Sequence, residues 1–151
     1  MRTSLLILLA AGFAFGQKYT GPHPPKPDMV YLVHADNLIP TEETEATQDK
    51  QKYVVGGSSS PARTPLAEPI FLIDADKIQP QSLELYKLDV KGDKREVTLS
   101  QRRTRGTHVL RLTVTPLEGR LYKIEADEEL ENGEYALTPN GSNTVFCFQV
   151  Y

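Results

Sequence analysis

Short runs of β-branched and aromatic residues, separated by glycine-containing turns, recur along most of this 151-residue chain. In HVLRLTV (108–114), for example, apolar and polar residues alternate from Leu110 onward, which is the period of a half-buried strand. About nine such runs, with turn formers such as Asn132-Gly133 between them, predict an all-β antiparallel fold, a sandwich or a barrel, with little or no helix. The acidic stretch TEETEATQDK (41–50) has no apolar stripe and is expected to be a solvated loop or one exposed helical turn.

The N-terminus has the pattern of a secretory signal peptide. Arg2 precedes the apolar run SLLILLAAGFAF, and Ala14 and Gly16 place small residues at the positions that a signal peptidase reads. The apolar run is shorter than the roughly 20 residues that a membrane span needs. We therefore expect residues 1–16 to be removed and the chain from Gln17 to be secreted, into a periplasm or outside the cell, without spanning a membrane.

Composition divides the expected mature chain into a tether and a domain. The stretch GPHPPKP is rich in proline, so residues 17–28 are expected to form an extended Pro-rich tether. Residues 29–151 are enough for a single β domain with its own hydrophobic core. Without Arg2, the chain carries 16 basic and 20 acidic residues, a net charge of −4, which disfavours nucleic acid as a partner.

Two further segments are candidate partner-binding surfaces. GGSSSPARTPLAEP (56–69) is rich in Gly, Ser and Pro and is expected to be a long surface loop. The main basic concentration is SQRRTRGTHVLR (100–111), which contains Arg102, Arg103 and Arg105. These arginines either bind an anionic partner, such as a polysaccharide or an acidic protein surface, or form a solvated hairpin tip.

One phrase occurs three times: an aromatic residue, any residue, Val or Ile, any residue, Ala and Asp. The copies are YLVHAD (31–36), FLIDAD (71–76) and YKIEAD (122–127). Because alternate residues of a strand share a face, we expect the aromatic, branched and Ala positions of each copy to face the core. The terminal Asp suits an Asx-type turn at a strand end, since its side chain accepts hydrogen bonds from nearby backbone N–H groups.

The same strand ends also suggest a cation site. If the three strands run in the same direction, five carboxylates gather at one end of the domain. These are Asp36, Asp74, Asp76, Glu125 and Asp127. They suit Ca²⁺, which takes about 6–8 oxygen ligands in a flexible geometry. The chain has no contiguous calcium-binding loop, so a structural turn and a calcium site both stand as interpretations, and no other cofactor is expected.

The segment LENGEY (130–135) precedes a short strand, a turn and the last strand, TVFCFQV. It resembles the tyrosine corner of immunoglobulin-like and fibronectin type III-like sandwiches, in which a Leu and a Gly precede a Tyr. The resemblance implies an Ig-like antiparallel β-sandwich, in which the Tyr135 hydroxyl bonds to the backbone a few residues upstream and Gly133 makes the turn. It covers about 20 residues and implies no particular activity.

The sequence contains no familiar catalytic or nucleotide-binding motif: G-x-S-x-G, H-E-x-x-H and the P-loop are absent. The single cysteine, Cys147, lies between two phenylalanines and is expected to be a small buried hydrophobic residue in a chain without internal disulfides. Asn140-Gly141-Ser142 is a formal N-glycosylation site and also a plain turn.

We therefore expect a secreted, non-enzymatic β-sandwich module that acts by binding, or by structural association with, an unknown protein or polysaccharide. The alternative is a calcium-stabilised ligand-binding domain, or a small metal-dependent enzyme, built on the aspartate-bearing strand ends. A third possibility is self-assembly through the last strand, NTVFCFQVY (143–151), which is apolar and uncharged and would be an aggregation hazard as an uncovered edge.

Overall fold

A computed structural model describes residues 18–99 and 109–151. Within them the chain forms fourteen strands and one short 3-10 turn, Pro80–Ser82. The strands are β1 (Val30–His34), β2 (Asn37–Pro40), β3 (Glu42–Glu45), β4 (Thr47–Asp49), β5 (Lys52–Gly56), β6 (Arg63–Thr64), β7 (Ile70–Asp74), β8 (Leu83–Lys91), β9 (Lys94–Thr98), β10 (Val109–Leu110), β11 (Leu112–Glu118), β12 (Leu121–Ala126), β13 (Gly133–Pro139) and β14 (Thr144–Val150). The predicted all-β antiparallel class is confirmed, with more strands than expected.

The strands form two sheets in a sandwich-like arrangement. The smaller sheet has five strands in the order β11-β12-β7-β1-β2, and every pair in it is antiparallel. The larger sheet has the order β3-β14-β13-β8-β9-β5-β4, with β10 paired to β8 and β6 paired in parallel to β14. Strand β8 is long enough to pair with β13 along one side and with both β9 and β10 along the other.

Two segments expected to be loops contribute strands to the larger sheet. The acidic stretch 41–50 forms β3, which pairs with β14, and β4, which pairs with β5. Arg63–Thr64, within the 56–69 segment, forms β6 beside the C-terminal end of β14. The loop predictions are wrong at these places because pairing with an available strand outweighs the weak β-propensity of charged and polar residues.

The larger sheet curls into a nearly closed barrel. β3 and β4 are the two ends of its strand order, yet a single residue, Ala46, separates them along the chain. The two strands therefore form one kinked strand that pairs with β14 before the kink and with β5 after it. The Ala46 N–H donates to the Asn143 carbonyl at 2.8 Å, which holds the kink against the β13–β14 turn.

Alternation along β13 and β14 builds two separate apolar cores. Every second residue faces the smaller sheet, where the rings of Phe148 and Phe71 meet edge to face with 4.9 Å between their centroids. The residues in between face the inside of the barrel. The barrel core contains Ala46, Val55, Leu88, Ala136, Val145 and Cys147. One strand pair thus serves the sandwich with one face and the barrel with the other.

The three copies of the repeated phrase lie on adjacent strands, β12, β7 and β1, in the smaller sheet. Phe71 in β7 lies opposite Ile124 in β12 and Leu32 in β1, so these three side chains share one face. In the second and third copies the aromatic position faces the core side, as predicted. The first copy is offset by one residue, because Leu32 and not Tyr31 shares the face of Phe71. This offset is fixed by the pairing of β1 with β7, and the chain then reverses into β2 through a tight turn in which Ala35 has a φ of 52°.

The last strand is covered on both sides. β14 pairs with β13 along one side and with β3 and β6 along the other. The expectation that this strand forms an open edge for self-association is therefore wrong. The segment from β3 to β6 folds over it and supplies the missing partners, which the apolar character of the strand alone does not reveal.

The segment before β1 is fixed to the smaller sheet at Asp28. Its backbone N–H donates to the Asp74 carbonyl at 2.8 Å, and its carboxylate accepts the backbone N–H groups of Asp76, Lys77 and Ile78. Burial raises the pKa of Asp28, but these three hydrogen bonds outweigh it and the pKa is lowered overall.

Within the described residues, no helix is long and apolar enough to cross a membrane.

Candidate functional site

The barrel encloses a cavity of about 410 Å³ beneath the β13–β14 turn. Apolar side chains from the wall strands and polar groups gathered around the β13–β14 turn contribute nearly equal shares of its surface. The apolar lining consists of Ala46, Val55, Leu88, Val97, Leu99, Ala136, Pro139 and Val145, together with the rings of Tyr53 and Tyr86. Among the described residues, Glu84 is the single charged residue of the lining, and the other polar groups belong to Gln48, Thr138, the hydroxyls of Tyr53 and Tyr86, and the turn Asn140–Asn143. A cavity of this size, with an apolar part and convergent polar groups, is typical of a small-molecule site.

Strand register arranges the lining in layers. Glu84 lies opposite Thr138 at one end of the β8–β13 pair, and Leu88 lies opposite Glu134 at the other. The residues at positions 84, 86 and 88 share a face because alternate residues of a strand do so. The barrel interior therefore runs from a polar mouth, through an apolar middle, to an ionic closed end.

A fixed carboxylate stands at the mouth. The Tyr86 hydroxyl donates to Glu84 Oε2, and the Asn140 side-chain amide donates to Glu84 Oε1 at 2.9 Å. Burial and the bond to Glu84 both raise the pKa of Tyr86, so its phenol remains a protonated donor at neutral pH. Among the ion pairs of residues 18–99 and 109–151, none involves Glu84.

A buried arginine closes the opposite end. The side chain of Arg95 is 0% exposed and forks onto Glu42, with nitrogen–oxygen distances of 2.8 and 3.3 Å. It also donates to the carbonyls of Gly56 and Gly57 at 2.7 and 2.9 Å. Burial lowers the pKa of Arg95, but the carboxylate of Glu42 outweighs this effect and the pKa is raised overall. The guanidinium is therefore permanently charged and satisfied from several sides.

The 56–69 segment seals this closed end and is not simply a surface loop. Ser60 is buried; its N–H donates to Glu134 Oε1 at 2.8 Å and its hydroxyl donates to the Cys147 carbonyl at 3.1 Å. Ala62 is buried in the sandwich core. The second carboxylate oxygen of Glu134 has no hydrogen-bond partner within the described part of the chain.

Cys147 is buried in the barrel core, as the sequence predicts. Burial raises the pKa of its thiol to about 12, so almost no reactive thiolate exists at neutral pH. We expect a thiol reagent to label the native protein at least about 100-fold more slowly than the denatured chain, because labelling requires opening of the fold. Equal rates in the two states would contradict the buried position.

The same shift gives an expected pH dependence. The pKa of Cys147 rises from an ordinary value of 9.0 to about 12 on folding. The protonated thiol therefore contributes stability that is complete below pH 9 and is lost as the pH rises toward 12. A Cys147→Ala variant, melted across this range, should show a smaller alkaline loss than the wild type.

The carboxylates predicted to form a cation site lie at two ends of the smaller sheet. β7 is antiparallel to both β1 and β12. Its end therefore carries Asp74 and Asp76 away from Asp36 and Asp127, which follow β1 and β12. The condition for a joint site, that all three strands run in one direction, is not met, because β7 runs opposite to β1 and β12.

Most of these carboxylates already have partners. Arg120 pairs with Asp74 at 2.9 Å and with Asp76 at 3.1 Å. Lys123 pairs with Glu125 at 3.2 Å, and Thr113 donates to Asp127. Over residues 18–99 and 109–151, no three His, Cys, Asp or Glu side chains form a group that could hold a metal ion. These contacts do not favour the calcium alternative, which stays a prediction from sequence.

Tyr135 has the contacts that the resemblance implies. Its residue is 1% exposed, and its hydroxyl donates to the Glu131 carbonyl, four positions upstream, at 2.7 Å. The ring stacks on Phe148 with 5.5 Å between centroids, and burial raises the pKa of the hydroxyl.

Gly133, which the resemblance places in the turn, is instead the first residue of β13. A Cβ at Gly133 would lie 3.2 Å from Lys87 Cε, so a side chain there would require the flexible end of Lys87 to shift slightly.

The basic segment lies outside the described residues. Arg102, Arg103 and Arg105 belong to it, so the anionic-partner hypothesis stays a prediction from sequence. The described chain stops at Leu99, which lines the cavity, and resumes at Val109, which pairs with Tyr86.

The chain matches no protein-family model, no curated protein and no solved structure. The cavity and its surroundings are therefore the basis for a functional proposal.

The sequence did not predict this cavity. The alternation of Glu84, Tyr86 and Leu88 in LELYKLDV was one local signal for it, but closure of the barrel depends on the kink at Ala46, for which the sequence shows no local pattern.

Proposed function

We propose that this protein is a non-enzymatic binding module that holds a small, largely apolar molecule inside the barrel. The observation that carries the proposal is the cavity of about 410 Å³, with an apolar interior and convergent polar groups around the mouth. The opposite end is closed by the Arg95–Glu42 pair, so a ligand would enter and leave through the mouth.

The way the walls are built supports this function. The lining residues come from strands that pair along much of their length, so the cavity exists without a ligand and little ordering is needed on binding. The apolar middle layer of the barrel supplies the surface that an apolar ligand would remove from water.

The setting of the module is part of the proposal. The signal-peptide pattern of residues 1–16 supports action in a periplasm or outside the cell. The bond from Tyr135 to the Glu131 carbonyl supports an Ig-like sandwich. The absence of the common catalytic motifs from the sequence supports a binding role over an enzymatic one.

A cavity-filling variant tests the proposal. Val97 lines the cavity, whereas Val54 lies opposite Glu96 in the β5–β9 pair and so faces away from it. We expect 1-octanol to raise the unfolding midpoint of the wild type and of Val54→Phe, because a ligand of the folded state stabilises by mass action. In Val97→Phe the new ring occupies the cavity, and titration calorimetry should show octanol binding at least about tenfold weaker.

Two results would count against the proposal. One is that neither 1-hexanol, 1-octanol nor 1-decanol stabilises the wild type at millimolar concentration. The other is that Val97→Phe, with an unfolding midpoint close to that of Val54→Phe, binds octanol as tightly as the wild type does.

A further inference from the structure

The mouth of the cavity carries a negative charge that is held in place but not neutralised within the described residues. Glu84 accepts one hydrogen bond at each oxygen, from Tyr86 and from Asn140. A carboxylate offers about four lone-pair positions, so the two bonds fix its orientation and leave two positions open. Both donors are neutral, which leaves the full charge on the carboxylate.

Glu84 is the one charge that the described lining presents to a ligand. Glu84 stands where the apolar part of the cavity meets its polar mouth, and no Lys, Arg or His of residues 18–99 and 109–151 lines the cavity. Because apolar walls weaken dielectric screening, a charge at this place acts more strongly than one on the open surface. An anionic head group would be repelled, and a neutral one would gain only ordinary hydrogen bonds.

Aromatic side chains stand in the same cavity. Tyr86 is next to Glu84 on the shared face of β8, and Tyr53 lines the wall from β5. Aromatic faces attract cations through their quadrupole, and they do so more strongly where water is excluded. A carboxylate, two tyrosines and an apolar interior together form a site for a positively charged group attached to a hydrocarbon body.

From this arrangement we propose that the molecule held in the barrel is a cationic amphiphile, with an amine nitrogen bound at Glu84 and its apolar body in the cavity. The inference rests on the proposed binding function and adds the chemical class of the ligand. The ammonium donates to an open position of the carboxylate, while Tyr86 and Asn140 keep their own bonds to it.

Matched eight-carbon probes test this inference. Octylamine, 1-octanol and octanoate share one chain and differ in head-group charge at pH 7. We expect calorimetry at low salt to show that the wild type binds octylamine at least about tenfold more tightly than 1-octanol, because a charge-assisted hydrogen bond adds to the same apolar contact. Octanoate should bind more weakly than either.

Two variants assign the effect to one residue. Glu84→Gln keeps the shape and should bind octylamine and 1-octanol with nearly equal affinity. Glu118→Gln removes the same charge from β11 of the other sheet and should keep the tenfold preference, which controls for net charge. Unfolding midpoints of the two variants show that both remain folded.

Each outcome decides between the inference and the function beneath it. If 1-octanol binds and octylamine binds no more tightly, the cationic ligand class is wrong and the binding function stands. If none of the three probes binds, the binding function is wrong and the inference falls with it. If Glu84→Gln keeps the preference for octylamine, the assignment to Glu84 is wrong.

Discussion

Replacing Arg95 with Met is expected to lower the free energy of unfolding by about 3–5 kcal/mol, because a buried ion pair loses one partner. The guanidinium makes two contacts to Glu42 and two to the carbonyls of Gly56 and Gly57. Met fills a similar volume but satisfies none of these acceptors. The carboxylate of Glu42 would then remain part-buried without its cation. Chemical denaturation monitored by circular dichroism measures the difference.

The neighbouring Lys94 provides the matched control. Lys94 lies in the same strand but is exposed, so Lys94→Met should change the free energy of unfolding by less than about 0.5 kcal/mol. The double variant Arg95→Met/Glu42→Gln should be more stable than Arg95→Met alone, because it leaves no unpaired charge. A loss below about 1 kcal/mol in Arg95→Met would show that the arginine does not hold the closed end of the barrel.

Removing the side chain of Tyr135 is expected to cost about 3–5 kcal/mol in Tyr135→Ala, because a cavity opens in the sandwich core beside Phe148. Tyr135→Phe keeps the ring and removes the hydroxyl that donates to the Glu131 carbonyl. That change should cost about 1–3 kcal/mol, since the carbonyl loses its partner. The two variants separate the contribution of ring packing from that of the hydrogen bond.

Tyr151 is the control for this pair. It is an exposed tyrosine at the C-terminal end of the chain, and Tyr151→Phe should be silent within about 0.5 kcal/mol. Denaturant melts of all three variants are compared with the wild type. A silent Tyr135→Phe would show that the hydroxyl bond contributes nothing, and the best support for an Ig-like corner would be lost.

The features predicted correctly from the sequence are those that depend on neighbours along the chain. Two-residue alternation identifies strands, and the apolar run VFCFQV indicates the buried position of Cys147. The contact from Tyr135 to Glu131 spans four residues, so a six-residue motif was enough to indicate it. In each case the information lies within a single strand or turn.

The features that were missed depend on distant parts of the chain. Glu42 reads locally as part of a solvated acidic loop, yet its carboxylate binds Arg95, 53 residues away. The repeated phrase gives the same local signal three times, but strand neighbours and not chain order decide the direction of each copy. The cavity needs both effects together, because it forms only when residues 41–50 become strands that close the barrel.

The closure at Ala46 bears on how concentrated solutions of this protein behave. A curled sheet whose end strands are joined presents fewer free backbone donors and acceptors to another molecule than a flat one does. The smaller sheet ends in β2 and β11, and their outer sides have no strand partner among the described residues. Pro40 stands at the end of β2, and Pro116 interrupts β11, each without an N–H to offer a neighbour. These two edges are thus poor templates for stacking copies into fibrils, so we expect the smaller sheet to resist edge-to-edge association in concentrated solution.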